Sequence, residues 1–410
     1  MCCSCSGVCF GDLVIEHPGD IRTFTAAFFW RSYSGGCGAP PRPPCLPGPP
    51  VDCCGSFGRL VKAVVYHGKG ELRVEDVPVP EPGPGEMLVR VDACGICPTD
   101  LKKIEKGLLT GPRIFGHEIA GTVAALGAGT RAFREGERVV VHHHVPCGAC
   151  FYCERRLYAQ CPGYKRNGTT AGFEPAGGGY AEYLLALDWI VARGTIPIPD
   201  GVLAEEAAFV EPVNTCLKAV RKAAVAKDES VLVVGQGPIG LLLMQIVRAA
   251  GAKVIVSDGF EGRLALARAL GAPVALDAAV DVVREVLALT AGRGADCALL
   301  AAPGQPAFDQ ALGATRAGGR ILSFAATSPG EAVELDLGRL TSLEKDLLTA
   351  YSSSIDLQQE AAELVFSRTV RVAELVSHRL PVARGQEAFE LAMGKAPGTL
   401  KVLLDARAPS

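Results

Sequence analysis

The sequence predicts an α/β protein in two parts, a β-rich region followed by a doubly wound parallel sheet. Three observations carry this. Between residues 61 and 200, short apolar runs such as Met87–Val91, Ile119–Ala124 and Arg138–Val141 alternate with Gly and Pro turns, an all-β pattern. From 230 to about 346, strand-like and helix-like runs alternate through VLVVG, KVIVSD, PVALD, DCALLAA and RILSFAA. At their head stands Val231–Gly240, VLVVGQGPIG, in which a buried strand runs into a glycine turn and then into the apolar helical run LLLMQIVRAAGA.

Taken in order, residues 1–60 do not read like the rest. They hold eight cysteines without consistent ligand spacing and the Pro-rich run APPRPPCLPGPP, which favours extended, unpacked chain. They also lack the basic start and continuous apolar core of a secretory signal. We expect a disordered extension, or a start assigned too far upstream with the true one near Val61. Strand-like alternation begins there, in KAVVYHG and ELRVEDVPVP. A helical period enters at 205–226, and the tail 347–410 holds helices at Leu357–Ser367 and Gly385–Gly394 and strands at VSHRLPV and TLKVLLD.

Composition narrows the function. The 410 residues suggest two or three domains, and 49% hydrophobic against 21% charged residues supplies a sizeable core. A net charge of −3 gives no broad basic surface for nucleic acid, and no run of 18 apolar residues exists to span a membrane. The other eight of the 16 cysteines are Cys94, Cys97, Cys147, Cys150, Cys153, Cys161, Cys216 and Cys297. Thiols so closely spaced beside a nucleotide-type fold point to metal ligation in a reducing compartment such as the cytoplasm, rather than to a disulfide framework.

Gly235, Gly237 and Gly240 match the G-x-G-x-x-G spacing. The first allows the tight turn, the second a close backbone approach to a pyrophosphate, and the third close packing of helix on sheet, with Pro238 and Ile239 between them. Asp258 ends the next strand, 18 residues after Gly240, where an acid accepts from both ribose hydroxyls. Turn glycines and an N-cap aspartate would be spelled alike, but here strand, turn, helix, strand and acid follow in order. Asp258 favours NAD over NADP, because it repels a 2′-phosphate; Arg263, five residues on, is the group that would instead meet that phosphate.

Two metal constellations stand out. Cys147, Cys150, Cys153 and Cys161 form C-x2-C-x2-C-x7-C, a spacing that lets four thiolates close around a structural Zn²⁺. Iron–sulfur is the rival, but the ferredoxin pattern ends with a gap of three residues and this one with seven. The second set is dispersed over Cys94, Cys97, Thr99 and Asp100, then His117 and Glu118, with Glu211 as another carboxylate. Mixed sulfur and nitrogen donors suit a catalytic zinc with an open position, and Asp100 is suited to accept the second ring N–H of His117. The run His142-His143-His144 is a poorer candidate, since consecutive strand side chains alternate faces.

These motifs resemble the zinc-dependent medium-chain alcohol dehydrogenases over about residues 61–410. The resemblance rests on KAVVYHG, CGICPTDLKK, GHEIAGTV, the four-cysteine lobe, GGGYAEY, VEPVNTCLKAV, GQGPIG with Asp258, and AGGRILSFA. GGYAEY, VEP and LLTAYSSS are most similar to the polyol and threonine dehydrogenase branch. The resemblance implies a GroES-like catalytic domain, 61–205 with 347–410, carrying the zinc lobe 147–161, and an inserted Rossmann coenzyme domain, 206–346. It implies Cys97, not Cys94, and His117 as catalytic zinc ligands, with Glu118 or Glu211 completing the shell and Thr99 relaying the alcohol proton. It further implies two zinc ions per chain, a small alcohol or carbonyl substrate bound between the domains, and a homodimer or homotetramer. Two positions depart from the pattern: Pro98 lacks a backbone donor near the coenzyme phosphates, and Lys102 stands where some members have a proton-passing histidine. The expected activity is hydride transfer between an alcohol and NAD. A carbonyl reductase of the same family and a non-catalytic, zinc-stabilised nucleotide-binding redox sensor are the alternatives.

Overall fold

The computed structural model describes residues 59–142, 145–166, 178–325, 332–394, 396 and 398–405. Most of the expected N-terminal extension, up to residue 58, lies outside the described residues, as do His143 and His144.

The first region supplies β1 (Leu60–Gly68), β2 (Glu71–Pro78), β3 (Met87–Gly95), β4 (Arg113–Ile114), β5 (Glu118–Leu126), β6 (Arg138–Val141), β7 (Tyr183–Ala186) and β8 (Thr195–Pro197). The expected strands are present, but the all-β expectation needs correction. Helices occupy Pro98–Lys106, Phe151–Glu154, Pro162–Arg166 and Asp188–Arg193. The longest of these buries only Asp100 and Ile104, so its sequence shows no apolar stripe to betray it. Pro98 starts it: proline's fixed φ suits the first helical position, where the missing N–H would have no intrahelical partner anyway. Gly107 ends it, in the left-handed region at φ 67°.

The second region supplies β9 (Ser230–Val234), β10 (Lys253–Asp258), β11 (Val274–Asp277), β12 (Ala295–Leu300), β13 (Thr315–Ser323) and β14 (Asp346–Thr349). They form one sheet in the order β11-β10-β9-β12-β13-β14, and every pair in it is parallel. Helices cover it; Val231 to Val234 are all buried, which is why the strand reads as an unbroken apolar run. The strand order changes direction between β9 and β12, so the carboxyl ends of these strands bound the crevice where such sheets take ligands.

The tail returns to the first region. After the helix Gln358–Phe366 come β15 (Val376–Leu380) and β16 (Lys401–Asp405), and β16 pairs antiparallel with β3. The resulting sheet runs β15-β16-β3-β5-β6-β8, with β7 also on β3. Gly95, at the end of β3, lies opposite Glu118 on one side and Leu403 on the other. Three strands from distant parts of the chain therefore bring Cys97, Glu118 and Lys401 to one end of one sheet.

Candidate functional site

Cys97 sits in the turn between β3 and the helix Pro98–Lys106, His117 immediately precedes β5, and Glu118 opens it. One ligand atom from each of Cys97, His117 and Glu118 lies within 4.8 Å of the others. A thiol, an imidazole and a carboxylate form a donor set suited to zinc. His117 and Glu118 are buried, whereas Cys97 is half-buried and Thr99 exposed, so the site opens on the Cys97–Thr99 side. Asp100, fully buried, lies with Oδ2 3.1 Å from His117 Nδ1. Burial alone would raise the Asp100 carboxyl, but His117, Lys103 and the Tyr180 hydroxyl hold it well below the usual carboxylate range. Burial opposes the charge on His117, yet Asp100 and Cys97 lift its imidazole well above the ordinary value. With Nδ1 turned to Asp100, Nε2 is the nitrogen left for a metal.

Glu211 is not part of this set. It lies buried in the helix Val210–Lys222, where the Thr215 hydroxyl donates to its carboxylate at 3.3 Å. Cys94 is a core thiol of β3, raised well above the ordinary cysteine value by burial first and by Glu118 and Asp100 next. His142 is buried with Nε2 3.3 Å from the Ser353 hydroxyl, in neither metal cluster. Lys102 is half-buried on the helix that Pro98 begins.

Cys147, Cys150, Cys153 and Cys161 converge as the spacing predicts, with all four sulfurs within 4.8 Å of one another. The lobe buries Cys153 and Cys161 and leaves Cys147 exposed. Burial pushes Cys153 up to about 12. Cys161 is pulled down to about 6 against its burial, by N–H donors from Cys147 and Tyr164 among others. A cation placed among the four sulfurs would stabilise all of them as thiolates.

In the glycine turn, Gly235 has φ 89°, and a Cβ on Gly240 would lie 1.8 Å from the Gly235 carbonyl oxygen, so neither position admits a side chain. A Cβ on Gly237 would meet nothing within 4 Å; that face of the turn is open, as a phosphate site requires. Gly237 caps the helix Pro238–Ala249, with Ile239 in its first turn, and aims its N-terminus at that opening. Asp258 is buried at the end of β10, accepting from the Gln236 N–H at 2.6 Å and the Phe260 N–H at 2.8 Å. Arg263 lies 3.8 Å from the same carboxylate and 4.8 Å over the Phe260 ring.

The alcohol dehydrogenase GroES-like domain family matches residues 83–200, and the zinc-binding dehydrogenase family matches 238–367. The sorbitol dehydrogenase of Bacillus subtilis is 30% identical over 352 residues, 84% of this chain and 97% of that protein. The chain belongs to the zinc-dependent medium-chain alcohol dehydrogenases, in their polyol and threonine dehydrogenase branch. Among other relatives, the L-threonine 3-dehydrogenase of Pyrococcus furiosus is 32% identical over 80% of this chain and 94% of its own length. A protein described as a zinc-binding dehydrogenase from Sinorhizobium meliloti, solved bound to NADP, superposes with a TM-score of 0.76 at 29% identity, covering 85% of this chain and 99% of that one.

Sequence reasoning missed two residues of this site. Lys401, buried on β16, donates to both carboxylate oxygens of Glu118 at 2.7 and 2.8 Å and lies 3.4 Å from the Ile96 carbonyl. Burial would discharge its ammonium, but the facing Glu118 carboxylate holds it above the ordinary lysine value. The available signal was a lysine at the head of the apolar run KVLLD. The second is Tyr180, in GGGYAEY, whose hydroxyl lies between Cys97 and Asp100.

Proposed function

We propose that this dehydrogenase oxidises a secondary alcohol, polyol or sugar-like substrate, passing hydride to NAD. The observation that carries the reading is the meeting of Cys97, His117 and Glu118 within 4.8 Å, with Asp100 behind the imidazole. On this reading residues 61–205 and 347–410 form the catalytic domain, 206–346 the coenzyme domain, and the four cysteines of 147–161 hold a second, structural zinc. The thiol donors require a reducing compartment such as the cytoplasm. A homodimer or homotetramer remains part of the proposal on the resemblance alone.

A zinc ion held by Cys97, His117 and Glu118 would supply Lewis acidity to the substrate oxygen, and the bound nicotinamide would accept the hydride. The chain's own residues do the rest. Asp100 fixes the His117 tautomer. Lys401 orients the Glu118 carboxylate by donating to both of its oxygens, and Glu118 lies in the cluster with Cys97 and His117, which favours it over Glu211 as the third donor. The exposed Thr99 hydroxyl takes the alcohol proton outward. Thr99 is exposed, so its hydroxyl can hand that proton on to water without a further side chain.

Preference for NAD rests on Asp258, whose two backbone bonds stop the carboxylate swinging away from a 2′-phosphate. The contact with Arg263 supports use of NADP as a second reading. Asp258→Ala should lose the preference for NAD⁺ over NADP⁺ in kcat/KM; an unchanged preference would contradict the assignment. The activity itself is tested with a panel of polyols, sugars, amino alcohols and simple alcohols, assayed in both directions with each coenzyme, with and without chelator. NAD⁺-dependent oxidation that the chelator abolishes is expected. Turnover only from the carbonyl side would favour the reductase, and NADH binding without turnover would favour the non-catalytic sensor.

A further inference from the structure

Tyr180 ties together the two chain segments that present Cys97 and His117. Its side chain is 1% exposed and its ring packs edge-on against Phe389, with centroids 5.1 Å apart at 87°. Toward His117, the contact is made by backbone. The Tyr180 N–H donates to the Phe115 carbonyl and the Gly179 N–H to the Gly116 carbonyl, both at 2.9 Å, just ahead of His117. The approach is so close that a Cβ on Gly116 would lie 2.7 Å from Tyr180 Cδ1, and Gly116 itself is left-handed at φ 103°. Toward Cys97, the contact is made by the hydroxyl. It accepts from the Cys97 N–H at 3.2 Å and donates to Asp100 Oδ2 at 3.1 Å, with the Gly95 carbonyl 3.4 Å away. Asp100 Oδ2 is the same oxygen that lies 3.1 Å from His117 Nδ1.

We propose that Tyr180 is a positioning residue for the catalytic metal site, its hydroxyl setting the Cys97 turn and the Asp100 carboxylate in register with His117. The hydroxyl has one proton to give and a lone pair to receive with, and here it uses both on groups that orient the two ligands. Phenylalanine has the same shape and neither capacity. It would leave the Cys97 N–H and one approach to Asp100 unmatched in a buried setting, and so loosen the angle between sulfur and imidazole. The inference rests on the reading that Cys97 and His117 hold a metal.

The test compares wild type with Tyr180→Phe and, as a packing control, Phe389→Leu. Retention of the catalytic zinc is read by competition with a chromophoric chelator, and ligand geometry by the visible spectrum of the Co²⁺-substituted protein. Tyr180→Phe should lose between about 10- and 100-fold in metal affinity, with an altered Co²⁺ spectrum and a lower kcat at unchanged KM for NAD⁺. Phe389→Leu should lower Tm and leave both metal readouts unchanged. Equal metal affinity and spectrum in Tyr180→Phe and wild type would overturn the inference while leaving the site's reading intact. So would equal metal loss in Phe389→Leu, or a Tyr180→Phe protein that fails to fold, since either makes the role one of packing. A wild type that binds no metal through Cys97 would overturn the inference together with the reading beneath it.

Discussion

The two metal-donor clusters are built in opposite ways. The four cysteines lie within one short stretch, Cys147 to Cys161, and their partners are largely one another and nearby backbone. Cys97, His117 and Glu118 are instead anchored by groups from across the chain: Asp100 and Tyr180 behind Cys97 and His117, and Lys401 on Glu118. A lobe of the first kind can hold a cation and stiffen itself, with only local consequences. A site of the second kind has each ligand fixed by a buried polar partner and keeps one side open. That is what chemistry at a metal requires, since the geometry must persist while a ligand position exchanges.

The contrast can be broken at its strongest point by Cys150→Ser. Structural zinc contributes folding energy directly, so the lobe should unfold locally, with a lower Tm and loss of one zinc, while Cys97 and His117 keep their metal. Calorimetry with metal analysis checks this; loss of both metals would show the clusters to be one cooperative unit. Next, Lys401→Met leaves Glu118 buried without its cation, and removing one partner of a buried pair costs about 3–5 kcal/mol. Denaturant unfolding with and without chelator should show the larger loss in the chelated protein, where no other cation compensates. Thr99→Val sharpens the comparison from the chemical side. It should lower kcat by about 10²–10⁴-fold with zinc content and stability unchanged, because the exposed hydroxyl holds no ligand.

The smallest effect separates both clusters from the rest of the fold. Despite partial burial, Arg368 holds the Glu206 carboxyl, and Arg316 the Asp296 carboxyl, below their ordinary values of 4.5 and 3.8. Carboxyls depressed in the folded state bind fewer protons there than in the unfolded chain. Their stabilisation is therefore complete above those ordinary values and is lost as pH falls through the lower folded ones. In chelator-treated protein the acid limb of stability should persist and be shallower in Arg368→Met; an unchanged limb would assign it elsewhere.

The local cluster was fully legible and the dispersed one only in part, for a physical reason. Four cysteines on one loop state their geometry through their spacing, and the glycine turn with Asp258 states its own through the order of strand, turn and helix. Cys97 and His117 were legible as residue types beside recognisable motifs. Their supports were not, because Lys401 reaches Glu118 only through the pairing of β16 with β3, and Tyr180 reaches Cys97 only after its backbone has docked on Phe115. The same limit left Glu118 and Glu211 undecided in sequence, and hid a helix whose buried residues are one aspartate and one isoleucine.

The most direct test is the zinc content of wild type and Cys97→Ser measured alongside dehydrogenase activity. Two zinc ions per chain should become one in the variant, with activity abolished and Tm little changed. Equal zinc in both proteins, with activity surviving in the variant, would contradict a catalytic ion at Cys97 and His117.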